Sequence, residues 1–140
     1  MALSLDNLIT DLRREYGDDL PEAEQALSVD QLYRTIQRAV VVINRDFGTG
    51  YQVLTDAITP DPTSNDREML LLASMVSVAE TMLARYARYP SVKSGDKTVS
   101  HSDQVEAWSR LHVRYLEQYK DAVAVQKASE MSDVEPQLYG

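Results

Sequence analysis

Residues 65–89 read NDREMLLLASMVSVAETMLARYARY, and this stretch decides the fold of the 140-residue chain. On a helix of about 100° per residue, its apolar side chains cover far more than the stripe that a surface helix needs. The narrow polar face carries Ser74, Ser77, Thr81, Arg85 and Arg88. The sequence therefore predicts a central helix that is covered on more than one side.

One side of this helix has apolar surface beyond what the other predicted long helices cover. That side carries Leu71, Met75, Val78 and Met82. We expect it to be covered either by the first helix of the chain or by a neighbouring subunit, where methionines tolerate imperfect packing. In the second case, Leu71, Met75 and Met82 are subunit-interface residues.

A second predicted helix precedes the central one. Ser28 and Gln31 have the spacing of a capping box, and Gly48 ends a helix that runs to about Asp46. One face of this helix carries an arginine row at Arg34, Arg38 and Arg45. The row is interpreted either as a solvated face or as a contact strip for an acidic neighbour, such as the next copy of this protein. The three arginines are thus further candidates for the subunit interface.

Residues 51–62 separate these two helices. The segment loses the helical period, gains β-branched and aromatic residues and ends in prolines, which predicts an extended arm, either one short strand or a hairpin. One short strand does not form a sheet, so we expect it to pair with another molecule. Its candidate partner contacts are Tyr51, Val53 and Leu54. After the arm, Asn65 and Glu68 have the spacing of a helix cap.

A short helix opens the chain. Ser4 is its predicted cap and Gly17 its predicted end, and an acidic linker that contains Pro21 follows. Because so short a helix is not stable alone, we expect it to pack on the rest of the chain.

A polar loop and a long helix close the chain. Pro90 ends the central helix, and residues 90–101 form a loop. The candidate partner contacts in this loop are Lys93, Asp96 and Lys97. The last helix is predicted to start near residues 101–103 and to run to about Ala128, and residues 129–140 are predicted to be an extended, flexible tail.

Together these elements predict an all-α fold. It is a small bundle of about four helices, two of them long, central and antiparallel, with an extended arm and a flexible C-terminal tail. Residues 1–128 form a single helical domain, because a chain of this length holds one core.

No group of residues has the spacing of a catalytic or metal site. Residues 46–48 (DFG) match three letters of the kinase magnesium motif, but the rest of that motif is missing, so a helix end is expected. His101 and His112 are eleven residues apart, too far to converge on one metal. We expect His112 to be a core histidine bonded to a tyrosine or a carbonyl, and Glu80 to be a core-edge carboxylate paired with an arginine or a tyrosine. We therefore expect no enzyme activity, no metal and no cofactor.

The amino-acid composition argues against several classes of function. The formal net charge of −8 argues against non-specific binding to nucleic acid, which needs a basic surface. There is no cysteine, which excludes disulfides and thiolate metal sites. The first residues lack the features of a signal peptide, and the central apolar run is broken by Ser, Glu and Thr, so we expect no membrane insertion and synthesis in the cytoplasm.

The order of the elements along the chain is itself informative. A Ser-capped helix ends in FGTG and an arm ends in PDP; a Leu/Met-rich helix, a SGDKTVSHSD loop, a Trp/Tyr helix and a tail follow. This order resembles that of the head–tail connector proteins of long-tailed bacteriophages, also called adaptor or head-completion proteins. The resemblance covers roughly residues 28–125 and is strongest in LLLASMVSVAE and SVKSGDKTVSHSDQVEAW.

The resemblance implies a structural protein of the virion neck, made in the host cytoplasm. Such proteins assemble as a ring, typically of about twelve copies, beneath the portal protein. The ring extends the channel through which DNA passes without sequence-specific binding, and it is a platform for a downstream connector, stopper or tail-terminator protein. The family's tail reaches the portal; carried over, the docking residues are Val134, Pro136, Leu138 and Tyr139.

A function of another class is the alternative. The chain is then a small helical interaction protein or nucleic-acid-associated regulator that uses the face of Arg34, Arg38 and Arg45. Tight, salt-sensitive DNA binding would favour this alternative over the connector.

Overall fold

A computed structural model describes residues 3–18, 20–21, 25–88 and 97–138, and the side chains of residues 3–18, 20–21, 25–86 and 104–129. Within these ranges the chain is a mostly α-helical bundle of four helices with one small sheet, which confirms the predicted helical class. The elements in chain order are β1 (Leu3–Ser4), α1 (Leu5–Tyr16), α2 (Val29–Phe47), β2 (Gln52–Leu54), β3 (Ala57–Thr59), α3 (Ser64–Arg88) and α4 (Lys97–Leu138).

The first two helices begin and end where the sequence predicts. The backbone N–H of Gln31 donates to Ser28 Oγ at 3.2 Å and that of Ser28 donates to Gln31 Oε1 at 2.9 Å, which confirms the capping box. Gly17 and Gly48 follow the two helices with φ angles of 76° and 67°, a region where glycine has no steric penalty. Ser4 lies at the cap position of α1, but its side chain makes no capping hydrogen bond.

A buried carboxylate holds the end of α1 against the start of α2. Asp18 is 3% exposed, and it accepts hydrogen bonds from the Arg13 guanidinium, the Tyr16 hydroxyl and the Ala26 N–H at 3.1, 2.8 and 2.8 Å. Burial, followed by the hydrogen bond to Asp18, raises the pKa of Tyr16. This network and the buried apolar face of α1 fix a helix too short to be stable alone.

The segment predicted as an arm is a hairpin of the chain's own sheet. β3 lies between β1 and β2 and is antiparallel to both, so Ile58 pairs with Leu3 on one side and with Val53 on the other. The expectation that this segment pairs with another molecule is therefore wrong. The third strand is not predictable from the sequence, because β1 has only two residues, too few to show an alternating pattern.

α3 is the central helix, and α1, α2 and α4 all pack on it. Met75, Val78 and Met82 are at most 2% exposed within a single chain. This side is thus buried within a single chain and not by a neighbouring subunit, so Met75 and Met82 are not available as interface residues.

The start and the polar face of α3 both differ from the prediction. Thr63 caps the helix, since its Oγ1 accepts from the N–H of Asp66 at 3.1 Å, and the predicted cap at Asn65 is wrong. Ser74 and Ser77 are 0% and 6% exposed, and neither hydroxyl has a hydrogen-bond partner. These two residues of the predicted polar face are therefore buried, because a serine is small enough for two helices to approach closely.

α4 is antiparallel to α3, as predicted. Asn65 near the start of α3 donates to Gln126 at 3.4 Å, and Glu80 in its middle lies 3.3 Å from His112. These two contacts set the register of the pair. Because the helix is continuous to Leu138, its last turns run past Ser64, the first residue of α3.

Two segments predicted as non-helical belong to α4. Residues 97–101 of the predicted loop are helical, while residues 90–96 lie outside the described residues. Residues 129–138 are helical rather than extended, and residues 139–140 lie outside the described residues. Between Ala128 and Pro136 the chain has no glycine or proline that would stop the helix.

By length and composition alone, Ser64–Tyr86 would be able to cross a membrane, contrary to the sequence argument. More than half of its most apolar window is buried inside the molecule, however, as is usual for the core helix of a bundle. The criterion is therefore weak evidence here, and the absence of membrane insertion stays a prediction.

Candidate functional site

An open groove of about 820 Å³ lies between α2, α3 and α4. A second section of about 670 Å³ continues along α2 and α3 and shares Arg34, Arg38, Ser77 and Glu80 with the first. We call the two sections together the basic groove. Its apolar lining comes from all three helices and includes Ala73, Val76, Val41, Val42, Leu116 and Val123.

The groove follows one face of α3. Ala73, Val76, Ser77 and Glu80 have the i, i+3, i+4, i+7 spacing that places side chains on a single helix face. Ala73 and Ser77 are small and are 7% and 6% exposed, whereas Val76 is half-buried and Glu80 is exposed. The walls are the flanking helices α2 and α4, and between them the face of α3 is accessible mainly at Val76 and Glu80.

The charge of the groove is opposite to that of the whole chain. Its two sections are lined by five basic side chains and only two carboxylates, whereas the chain carries a net charge of −8. The basic residues are Arg34, Arg38, Arg45, Arg85 and Lys120. Among the described residues, Arg34, Arg38 and Lys120 form no ion pair. Their charges are therefore not neutralised within the fold.

Two tyrosines fasten α4 to the other helices. The Tyr119 hydroxyl donates to Asp46 at the end of α2 at 2.7 Å, and the Tyr115 hydroxyl donates to Glu15 of α1 at 2.8 Å. Burial and then these hydrogen bonds raise both tyrosine pKa values, that of Tyr115 to about 12. Burial alone would raise the pKa of Asp46, but hydrogen bonds from Tyr119 and Arg45 outweigh it and the pKa is lowered. The Tyr119–Asp46 bond braces the two walls of the groove.

Glu80 and His112 meet across the groove's α3–α4 side. His112 Nε2 lies 3.3 Å from Glu80 Oε1, and the two side chains are 25% and 56% exposed. Glu80 is therefore exposed and paired with a histidine rather than with the expected arginine or tyrosine, and His112 is not a core residue. Ser77, one turn before Glu80, has a buried hydroxyl that bonds to neither. The arrangement thus lacks the hydrogen bond between nucleophile and base that covalent catalysis needs.

The other predicted contact residues are spread over the molecule. Leu71 is half-buried beside Leu8 in the α1–α3 cleft. Tyr51 is 8% exposed, and its hydroxyl and N–H donate to Asp66 and Asn44, so it is held within the chain. Leu54 is 52% exposed and is the most open of the three candidate contacts in the arm. Val53 is half-buried in the hairpin.

The predicted loop and tail contacts are only partly described. Lys93, Asp96 and Tyr139 lie outside the described residues. Lys97, Val134, Pro136 and Leu138 lie on α4, of which only the backbone is described there.

The arginine row was found from the sequence, but its surroundings were not. Helical spacing places Arg34, Arg38 and Arg45 on one face of α2, and all three are exposed. Tyr119, Lys120 and the α3 floor join them only through the packing of three helices, and no sequence pattern connects these segments. The described residues contain no group of three or more His, Asp or Glu side chains that is arranged to hold a metal ion.

The chain was also compared with known proteins. No protein-family model matches it, and neither does any curated protein or solved structure.

Proposed function

We propose that this chain is a structural docking protein of the bacteriophage head–tail connector type. It joins other proteins and catalyses no reaction. The proposal starts from the sequence resemblance and assigns the chain to the virion neck, after synthesis in the host cytoplasm. The fold supports it with two separate contact surfaces, which are the C-terminal end of α4 and the basic groove.

The observation that carries the proposal is the length of α4. The helix has 42 residues and α3 has 25, which correspond to roughly 63 and 38 Å at about 1.5 Å per residue. With the observed register, the last turns of α4 extend past the start of α3. A helix end outside the bundle is suited to insertion into a partner. We assign the portal contact to this end, at Val134, Pro136, Leu138 and Tyr139.

The proposed assembly is a ring of about twelve copies under the portal. Arg34, Arg38 and Arg45 are exposed and available to an acidic partner of the ring. The net charge of −8 suits a channel through which DNA slides without binding. The opposite side of the ring holds the downstream connector, stopper or tail-terminator protein.

The test is co-sedimentation with the portal ring of the phage that encodes the chain. The full chain is expected to sediment with the portal, and a version ending at Ala128 is expected to keep its circular dichroism spectrum but stay in the supernatant. A version that lacks only residues 139–140 separates the helix end from the last two residues. Absence of portal binding by the full chain would refute the connector role, and normal binding by the Ala128 truncation would refute the assigned contact.

A second candidate is a nucleic-acid-associated helical protein. The observation that favours it is the cationic lining of the groove, in which Arg34, Arg38 and Lys120 are unpaired among the described residues. A gel-shift assay with duplex DNA at two salt concentrations tests it, using a variant in which Arg34, Arg38 and Arg45 become glutamine. Tight binding that weakens with salt and disappears in the variant would favour this candidate.

A further inference from the structure

We propose that the basic groove binds an acidic amphipathic helix of a partner protein. The inference rests on the proposed docking role, but it concerns a different surface from the end of α4 and names the chemistry of its ligand. The ligand helix would place an apolar stripe on the groove floor and carboxylates against the arginines, a common mode of peptide recognition.

The shape of the groove fits a helix. Arg34 and Arg45 are eleven residues apart on α2, so the row spans roughly 16 Å, or three helical turns. The floor between the walls is an apolar strip that includes Ala73 and Val76. Small floor residues allow the ligand backbone to approach α3 closely. Val41, which is 66% exposed, adds apolar surface at the edge.

The charges determine which kind of helix fits. Arg34 and Arg38 on one wall and Lys120 on the other have no carboxylate partner among the described residues. The two carboxylates that line the groove are occupied, Asp46 by Tyr119 and Arg45 and Glu80 by His112. Arg45 is already paired with Asp46, so an acidic ligand would gain new ion pairs at Arg34, Arg38 and Lys120 without breaking any that already exist, whereas a basic one would be repelled.

Other ligands fit less well. A small molecule would fill the volume, but cations spread along about 16 Å do not converge on one compact group. DNA would leave the apolar floor of the groove unused. A second folded copy offers no free apolar helix face from α1 or α2, because both bury that face in their own core.

The probe is a fluorescein-labelled, capped helical peptide of about five turns. It carries leucines on one face and glutamates that repeat the four- and seven-residue spacing of Arg34, Arg38 and Arg45. Its control has lysine in place of every glutamate. Fluorescence polarisation with the full chain is expected to show saturable binding of the acidic peptide that weakens with salt, and no binding of the lysine peptide.

Two pairs of variants locate the binding site. Arg34→Glu with Arg38→Glu is expected to weaken binding about tenfold or more, while Arg14→Glu with Arg114→Glu makes the same charge change outside the groove and is expected to weaken it little. Val41→Asp is expected to weaken binding and Val125→Asp is not, although both valines are highly exposed, at 66% and 70%. Because all these sites are exposed, the variants are expected to remain folded, which circular dichroism checks.

Several outcomes would overturn the inference. These are equal binding of the two peptides, equal loss in the Arg14/Arg114 control, tighter binding of a 20-base-pair DNA probe, or self-association of the full chain that Arg34→Glu with Arg38→Glu abolishes. The portal experiment is independent of them, because it depends on the end of α4. Portal binding without peptide binding refutes only the groove ligand, and peptide binding without portal binding refutes only the connector role.

Discussion

The two sides of α3 contrast in how the fold treats them. The side of Met75, Val78 and Met82 is closed by the chain itself and is at most 2% exposed. The opposite side, with Val76 and Glu80, stays accessible as the floor of the basic groove. Both sides carry apolar residues, so apolar character alone does not separate core from binding surface. What separates them is whether another helix of the same chain packs on top.

The largest expected effect comes from the network that anchors α1, one of the three helices that pack on α3. Replacing Asp18 with alanine leaves the buried Arg13 guanidinium without its carboxylate, and we expect a loss of about 3–5 kcal/mol in the free energy of unfolding. Urea denaturation followed by circular dichroism measures it. Asp11→Ala is the control, because the Asp11–Arg67 pair is exposed and should contribute much less. Equal losses of unfolding free energy in Asp18→Ala and Asp11→Ala would show that Asp18 does not hold α1 in place.

The contrast is tested by truncating one side chain in the closed core and one at the edge of the groove. Met75→Ala opens a cavity in the closed core and is expected to cost about 2–5 kcal/mol. Val41→Ala, at the edge of the groove, is expected to change the free energy of unfolding by less than about 0.5 kcal/mol. The same urea experiment measures both. A large cost at Val41 would mean that the groove side is structural too.

A smaller effect is expected from the brace between the groove walls. Tyr119→Phe removes one hydrogen bond to Asp46 and should cost about 1–2 kcal/mol, whereas Tyr33→Phe, at an exposed and longer contact, should cost less. The pKa of Asp46 is lower in the folded chain than in the unfolded chain. Its ionised form therefore stabilises the fold fully above the unfolded-state pKa, which is near 3.9, and this contribution to the free energy of unfolding is lost as the pH falls through the folded-state pKa. Urea midpoints measured from pH 6 down to 2 should fall less steeply for Tyr119→Phe. An unchanged acid dependence would contradict the role of the brace.

The smallest effect is expected at the unpaired arginines. Arg34→Gln with Arg38→Gln should leave the urea midpoint unchanged, because neither arginine has an ion pair among the described residues. The same variant is expected to weaken binding of the acidic peptide. A clear drop in stability would show that the arginines serve the fold rather than a ligand.

Local signals were predictable from the sequence because they depend on neighbouring residues. The capping box of Ser28 and Gln31 and the helix ends at Gly17 and Gly48 all follow from contacts within a few residues. The arginine row followed from helical spacing in the same way. Features that depend on distant segments were not predictable. β1 is the clearest case, because its two residues form a strand only by pairing with β3.

The serines of α3 show a second limit. Ser74 and Ser77 predicted an exposed face by residue type, yet they lie at a buried helix contact, where volume matters more than polarity. The accessible face lies instead at Val76 and Glu80. No periodicity argument gives this result, because it depends on where α2 and α4 cross the helix.

The sequence by itself determined that this protein is a small helical bundle built around residues 65–89, and that its first two helices start and stop at local capping and breaking signals. Only the tertiary structure decided which side of that central helix is closed, that the hairpin pairs with β1 of the same chain, and that three helices form a basic groove. The physical reason is that helix formation depends on local contacts, whereas burial depends on which distant surfaces come together.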